Sequence, residues 1–106
     1  MSLIKLIADS GATKAEWCLL TGGQKKIIIT QGISPYFLNT EQITDLLLKE
    51  LKPKLKNAEV DEINYYGTGC ANPENAKSVK KALNKVFLPI SGFCNYILEN
   101  KKCNVF

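Results

Sequence analysis

The stretch from Leu3 to Leu20 constrains this chain more than any other, because it reads as two apolar runs joined by a small, polar, glycine-containing turn. Residues 3–8 are apolar apart from Lys5, and the run closes on Asp9. Residues 15–20 form the second run, with Trp17 and Leu19 on one face at strand spacing. Such a pair predicts a β-hairpin whose first strand is buried. Thr21-Gly22-Gly23-Gln24 then signals another tight hairpin, and Lys25 to Thr30, with three consecutive isoleucines, reads as a third antiparallel strand.

The residues between the first two strands are chemically suggestive. Ser10, Gly11, Ala12 and Thr13 are short enough to approach an anion, and Lys14 adds a mobile charge. Gly11 allows close backbone approach or a positive φ, and successive backbone N–H groups in such a turn make a concave anion site without a helix. Thr13 can donate a hydroxyl to a phosphate oxygen. Asp9, at the end of a buried strand, can hold Mg²⁺ directly or through water, since that ion takes hard oxygen ligands and keeps several waters. Asp, Ser and Gly also suit an ordinary hairpin turn, which is the competing explanation for Asp9 to Ala12.

Beyond Gly32, residues 33–38 read as a loop containing Pro35, Tyr36 and Phe37. Asn39 with Gln42 three positions on is the pattern of a capping box, and Ile43, Leu46, Leu47 and Leu51 form one helical face. Pro53 is expected to end or kink that helix, with Leu55 still able to pack. Val60 to Tyr66 suits a fourth strand, Gly67-Thr68-Gly69 a tight exit from it, and Asn72-Pro73 a helix start with Asn as N-cap. The apolar face of the second helix is Ala76, Val79, Leu83, Val86 and Phe87, and Phe93 to Leu98 can form one more strand.

Residues 7–17, Ile-Ala-Asp-Ser-Gly-Ala-Thr-Lys-Ala-Glu-Trp, resemble the first phosphate motif of the superfamily that contains acetate and sugar kinases, heat-shock chaperone ATPases and actin. The wording is most like that of the N-acetylglucosamine kinase-like, BadF/BadG type ATPases. The resemblance continues through residues 31–40 (Gln-Gly-Ile-Ser-Pro-Tyr-Phe-Leu-Asn-Thr) and 65–70 (Tyr-Tyr-Gly-Thr-Gly-Cys), and covers roughly residues 3–87. It implies a ribonuclease-H-like, actin-like α/β lobe with a mixed sheet, built as three antiparallel strands followed by helix, strand and helix. It also implies ATP and Mg²⁺ as cofactors, with Asp9 on the metal and Ser10, Gly11, Ala12, Thr13 and Lys14 on phosphate.

A small-molecule sugar is the substrate that the resemblance implies. Ser34 and Asn39 lie where such kinases approach it, and Gly67, Thr68 and Gly69 where a loop lines the cleft. Each has a plainer use: Asn39 as the helix cap, the glycines as a strand exit. Relatives continue with a strand ending in a catalytic aspartate and a second phosphate motif. Here residues 88–106 diverge, Glu99 is their only acid, and the base role is not carried over to it. The expectation is therefore an N-terminal lobe, residues 1–87, followed by a divergent or truncated tail, residues 88–106. The 106-residue polypeptide is expected to be inactive as a kinase by itself. A non-catalytic nucleotide- or sugar-binding module, or a BadF/BadG type activator ATPase, is the alternative.

Composition excludes several other classes. At 106 residues the chain is one small domain with a modest core, and 45% hydrophobic with 23% charged residues argues against disorder. The net charge of +4 rests on lysines without a single arginine. Nucleic-acid sites favour the planar guanidinium, so no nucleic-acid partner is expected, and the lysines read as solvated faces. No apolar run reaches the eighteen or so residues needed to span a bilayer, and the first run is too short for a signal peptide. Cys18, Cys70, Cys94 and Cys103 are irregularly spaced in a chain without histidine. Zinc is therefore not expected, and free thiols in a reducing cytoplasm are. An uncovered sheet edge and the apolar residues of the tail point to a homo-oligomer formed by exchange of residues 88–106, with a tail folded on its own sheet as the alternative.

Overall fold

This computed structural model describes residues 4–56, 58–69 and 72–87, together with the backbone of residues 95–100. It is a mixed α/β structure with five strands, β1 (Ile4–Ser10), β2 (Lys14–Thr21), β3 (Gln24–Gln31), β4 (Glu62–Gly67) and β5 (Asn95–Asn100), in the order β3-β2-β1-β4-β5. β1 pairs antiparallel with β2 and parallel with β4, β2 pairs antiparallel with β3, and β5 lies parallel to β4. The three antiparallel strands and the fourth strand follow the apolar runs of the sequence. Gly22 and Gly23 both take positive φ, 51° and 87°, as a two-residue hairpin with matching twist requires.

Alternation along the strands sorts the sheet into two faces. Leu6 and Ala8, Trp17 and Leu19, Ile28, and Ile63 and Tyr65 point into the core beneath the helices. The other face carries Ile7, Asp9, Glu16, Leu20 and Tyr66, half-buried, with Ile27 and Ile29 at 48% and 45% exposure. The helices with described side chains bury their apolar residues in the one core, so this second face has no described helix over it.

The first helix, α1 (Thr40–Leu46), begins with the expected capping box. Asn39 Oδ1 accepts from the Gln42 backbone N–H at 2.8 Å, and Gln42 Oε1 accepts from the Asn39 N–H at 2.9 Å. Pro53 does not end the helix. The chain passes through a π turn (Leu47–Leu51) and gains one further turn, α2 (Lys52–Leu55). In the wider turn the Lys52 N–H reaches back to the Leu47 carbonyl. This shifts the carbonyls on which a proline ring would otherwise press. Ile43, Leu47, Leu51 and Leu55 are buried, Leu46 packs partly, and the segment stops at Lys56, whose φ is 49°. The second long helix, α3 (Pro73–Phe87), starts where Asn72 Oδ1 accepts from the N–H groups of Glu74 and Asn75. Val79, Leu83, Val86 and Phe87 are buried as expected, Ala76 partly, and Ala82 joins them.

Two departures concern the end of the chain. The last strand is described over Asn95–Asn100, two residues past the expected Leu98, while Phe93 lies outside the described residues; it lies on the protein's own sheet with Tyr66 opposite Glu99 in register. That is the alternative to an exchanged tail. Cys70, Cys94, Cys103 and the remainder of residues 88–106 lie outside the described residues, while Cys18 is a buried free thiol. No described helix is long and apolar enough to cross a membrane.

Candidate functional site

The segments with suggestive chemistry are far apart in sequence, and the structure gathers them at the C-terminal ends of the parallel strands β1 and β4. In open α/β sheets this is the end at which ligands are usually held. The turn between β1 and β2 comes first. Its Gly11 N–H donates to the Lys14 carbonyl at 2.9 Å. Among the described residues, nothing accepts from the backbone N–H of Ala12 or Thr13. Gly11 does not use positive φ, since the glycines that do are Gly22, Gly23 and Gly69. The freedom actually needed here belongs to Gly32. A Cβ at that position would lie 2.4 Å from Ala12 C and from Gly11 O, so the chain leaving β3 lies directly against the turn.

Ser10 joins the neighbouring segments. It is fully buried, and its hydroxyl accepts from the Ile33 N–H at 3.3 Å. Its carbonyl accepts from Thr68, from the backbone N–H at 3.1 Å and the hydroxyl at 3.4 Å. Three segments therefore meet on one serine: the 11–14 turn, the loop entered at Ile33, and the exit from β4. Ala12, Thr13 and Lys14 are exposed at the rim, and Asp9 is half-buried on the sheet face away from the helices. Asp9 lies opposite Glu16 on β2 and beside Tyr66 on β4.

The exit from β4 is tight for a steric reason. A Cβ at Gly67 would fall 2.3 Å from the Tyr65 ring. That ring packs on Trp17 with centroids 5.9 Å apart. Gly69 takes φ 84°, and a Cβ there would meet Tyr36 at 2.9 Å and Pro35 and Asn75 Nδ2 at 3.3 Å. The 34–39 loop consequently rests on the β4 exit. The loop is itself a closed turn, in which Ser34, buried, accepts through its carbonyl from the N–H groups of Phe37 and Leu38.

This turn holds Tyr36 and Phe37 out at 63% and 83% exposure. Between them and α3 lies an open groove of about 360 Å³, lined by Pro35, Tyr36, Phe37, Asn39, Gln42 and Ser78 among others. Thr40 Oγ1 donates to the carbonyl of Ser78, one of these lining residues, at 3.3 Å. Asn75 sits one turn before Ser78, and its Nδ2 is buried without a hydrogen-bond partner among the described residues.

Of the residues selected from the sequence, Ser10 and Thr68 are in direct contact, Gly11 and Ala12 lie against Gly32, Gly69 lies against the loop that Ser34 opens, and Asn39 lines the groove beyond that loop. Their exposures differ. Thr13 and Lys14 face solvent, whereas Ser10, Ser34, Gly67 and Gly69 are buried. Asn39 caps α1 through its oxygen, which leaves its amide nitrogen for a ligand. Gly32, Asn75 and Ser78 were not selected. A lone glycine after a strand and polar residues on a helix carry no local signal, and only the packing reveals them.

Among the described residues, no group of three or more Cys, Asp or Glu side chains gathers as a metal cage. The chain matches no known family and no curated protein.

Proposed function

We propose that this chain is the N-terminal lobe of an ATP-dependent sugar kinase of the N-acetylglucosamine kinase-like type, working in the cytoplasm. The observation that carries the reading is the meeting of the 11–14 turn, the 33–39 loop and the 67–69 exit around Ser10. These are the segments with the family's wording, and they arrive together from positions up to 58 residues apart. The strand order β3-β2-β1-β4-β5, with helical segments following β3 and β4, supports a ribonuclease-H-like lobe.

Phosphoryl transfer depends on positioning and charge neutralisation more than on covalent chemistry from the protein. In this reading the N–H groups of Ala12 and Thr13, the Thr13 hydroxyl and the Lys14 ammonium receive the nucleotide phosphates. Asp9 holds Mg²⁺ directly or through water, with Glu16 beside it. Mg²⁺ would neutralise phosphate charge. The groove beside Tyr36 and Phe37 takes the sugar, an aromatic face meeting its C–H face and Asn39 meeting its polar groups.

The test is an amide-shift titration with Mg-ADP and, separately, N-acetylglucosamine. The nucleotide should move Asp9 to Lys14 most, and Asp9→Ala should reduce those shifts. The sugar should move Tyr36 to Asn39 and Ser78. Shifts restricted to the lysine-rich surfaces of α2 and α3, indifferent to Asp9→Ala, would reduce the binding to charge attraction and end the reading. A non-catalytic nucleotide- or sugar-binding module is the second reading. The activator ATPase has less support, since no cluster-ligating cysteines are identified.

A further inference from the structure

Ser10 is placed where a phosphate ligand cannot be its main partner. It is fully buried, its hydroxyl is engaged by Ile33, and its carbonyl is engaged twice by Thr68. Its hydroxyl oxygen lies 3.5 Å from the Gly11 carbonyl oxygen, at the first residue of the turn. Gly32 meets the same turn from the other side, with its missing Cβ directed at the Gly11 and Ala12 backbone. Ile33 is the next residue, and the turn that presents Tyr36 and Phe37 begins directly after it at Ser34.

We propose that Ser10 and Gly32 are positioning residues that join the 11–14 turn to the 33–39 loop, so that the two adjust as one unit. Ser10 sets the turn by holding Ile33 and Thr68, and Gly32 lets the loop lie on the turn without an intervening side chain. Densely packed contacts of this kind transmit a shift rather than absorb it. Occupation of the turn by an anion is therefore felt at Phe37 and Leu38, and a ligand in the groove is felt at Ala12 and Thr13. The ligands named here rest on the kinase reading, whereas the mechanical connection does not.

Two arms of one experiment judge these separately. In the ligand-free protein, Ser10→Ala should raise hydrogen exchange at the Ile33 amide on the order of five- to tenfold, the worth of one neutral hydrogen bond. It should also displace the amide resonances of Ala12, Thr13, Thr68 and Phe37 together, while exchange at Leu6 stays unchanged. Gly32→Ala should displace the same set. If that variant does not fold, Ser10→Ala alone decides. With Mg-ADP, the wild-type chain should show shifts at Ile33 to Leu38 in addition to those at the turn, and Ser10→Ala should lose the former and bind more weakly. Unaltered exchange at Ile33, or resonances at Ala12 and Phe37 that ignore Ser10→Ala, would overturn the proposal. A wild-type chain that fails to bind Mg-ADP would defeat the nucleotide reading, and the ligand-free arm would still decide the coupling.

Discussion

Trp17 donates its indole N–H to the hydroxyl of Thr30, 3.0 Å away and inside the core. Ile28 is the direct partner of Trp17, so Thr30 is its diagonal neighbour on β3, within reach of a long side chain on the same face. Thr30 passes its own proton to the Gln31 carbonyl at 2.9 Å. The largest core side chain therefore has its one polar atom satisfied, and its ring is free to pack on Tyr65.

Thr30→Val should cost about 1–3 kcal/mol, because it leaves the Trp17 N–H buried without an acceptor. Adding Trp17→Phe should cost less than the sum of the single changes, since the second removes the orphaned donor. Urea denaturation of the four proteins of the cycle measures both numbers, and strict additivity would contradict the bond.

Asn39→Ala should destabilise the protein by about 0.5–2 kcal/mol through loss of the cap. Gln42→Ala should cost less, because the Asn39 bond to the start of α1 survives it. Equal losses in thermal unfolding would mean that neither half of the capping box contributes specifically.

With Mg-ATP and N-acetylglucosamine, the 106-residue polypeptide should show no measurable turnover. No general base and no second phosphate loop are identified in its sequence, and a base alone contributes about 10²- to 10⁴-fold. A coupled assay detecting rates of about 1 s⁻¹, ordinary for kinases, would show that the polypeptide carries its own base.

Self-association through the sheet face that carries Ile27 and Ile29 is the expected outcome to test. Ile27 and Ile29 stand there on the edge strand β3, at roughly half exposure. Light scattering should give a mass above that of the monomer, and Ile27→Lys with Ile29→Lys should return it to the monomer. A wild-type monomer at every concentration would remove the expectation.

What the sequence determined by itself is local. The Gly22-Gly23 turn, the alternation of Trp17 and Leu19, the Asn39 and Gln42 capping box and the Asn72-Pro73 helix start each arise among residues within a few positions of one another. Their backbone preferences and side-chain reach settle them before any tertiary contact forms. The tertiary structure decided what depends on distant partners. Pro53 stays inside a helical segment because a π turn accommodates its ring. Asn95–Asn100 pairs with β4 in its own sheet. Gly32 is a contact rather than a spacer, and Ser10 holds residues 23 and 58 positions away. The Asp9 to Lys14 turn carries the residue types from which the proposed anion site is argued. Which of those residues reach solvent, and which serve to hold the place together, follows from the packing of the chain around them.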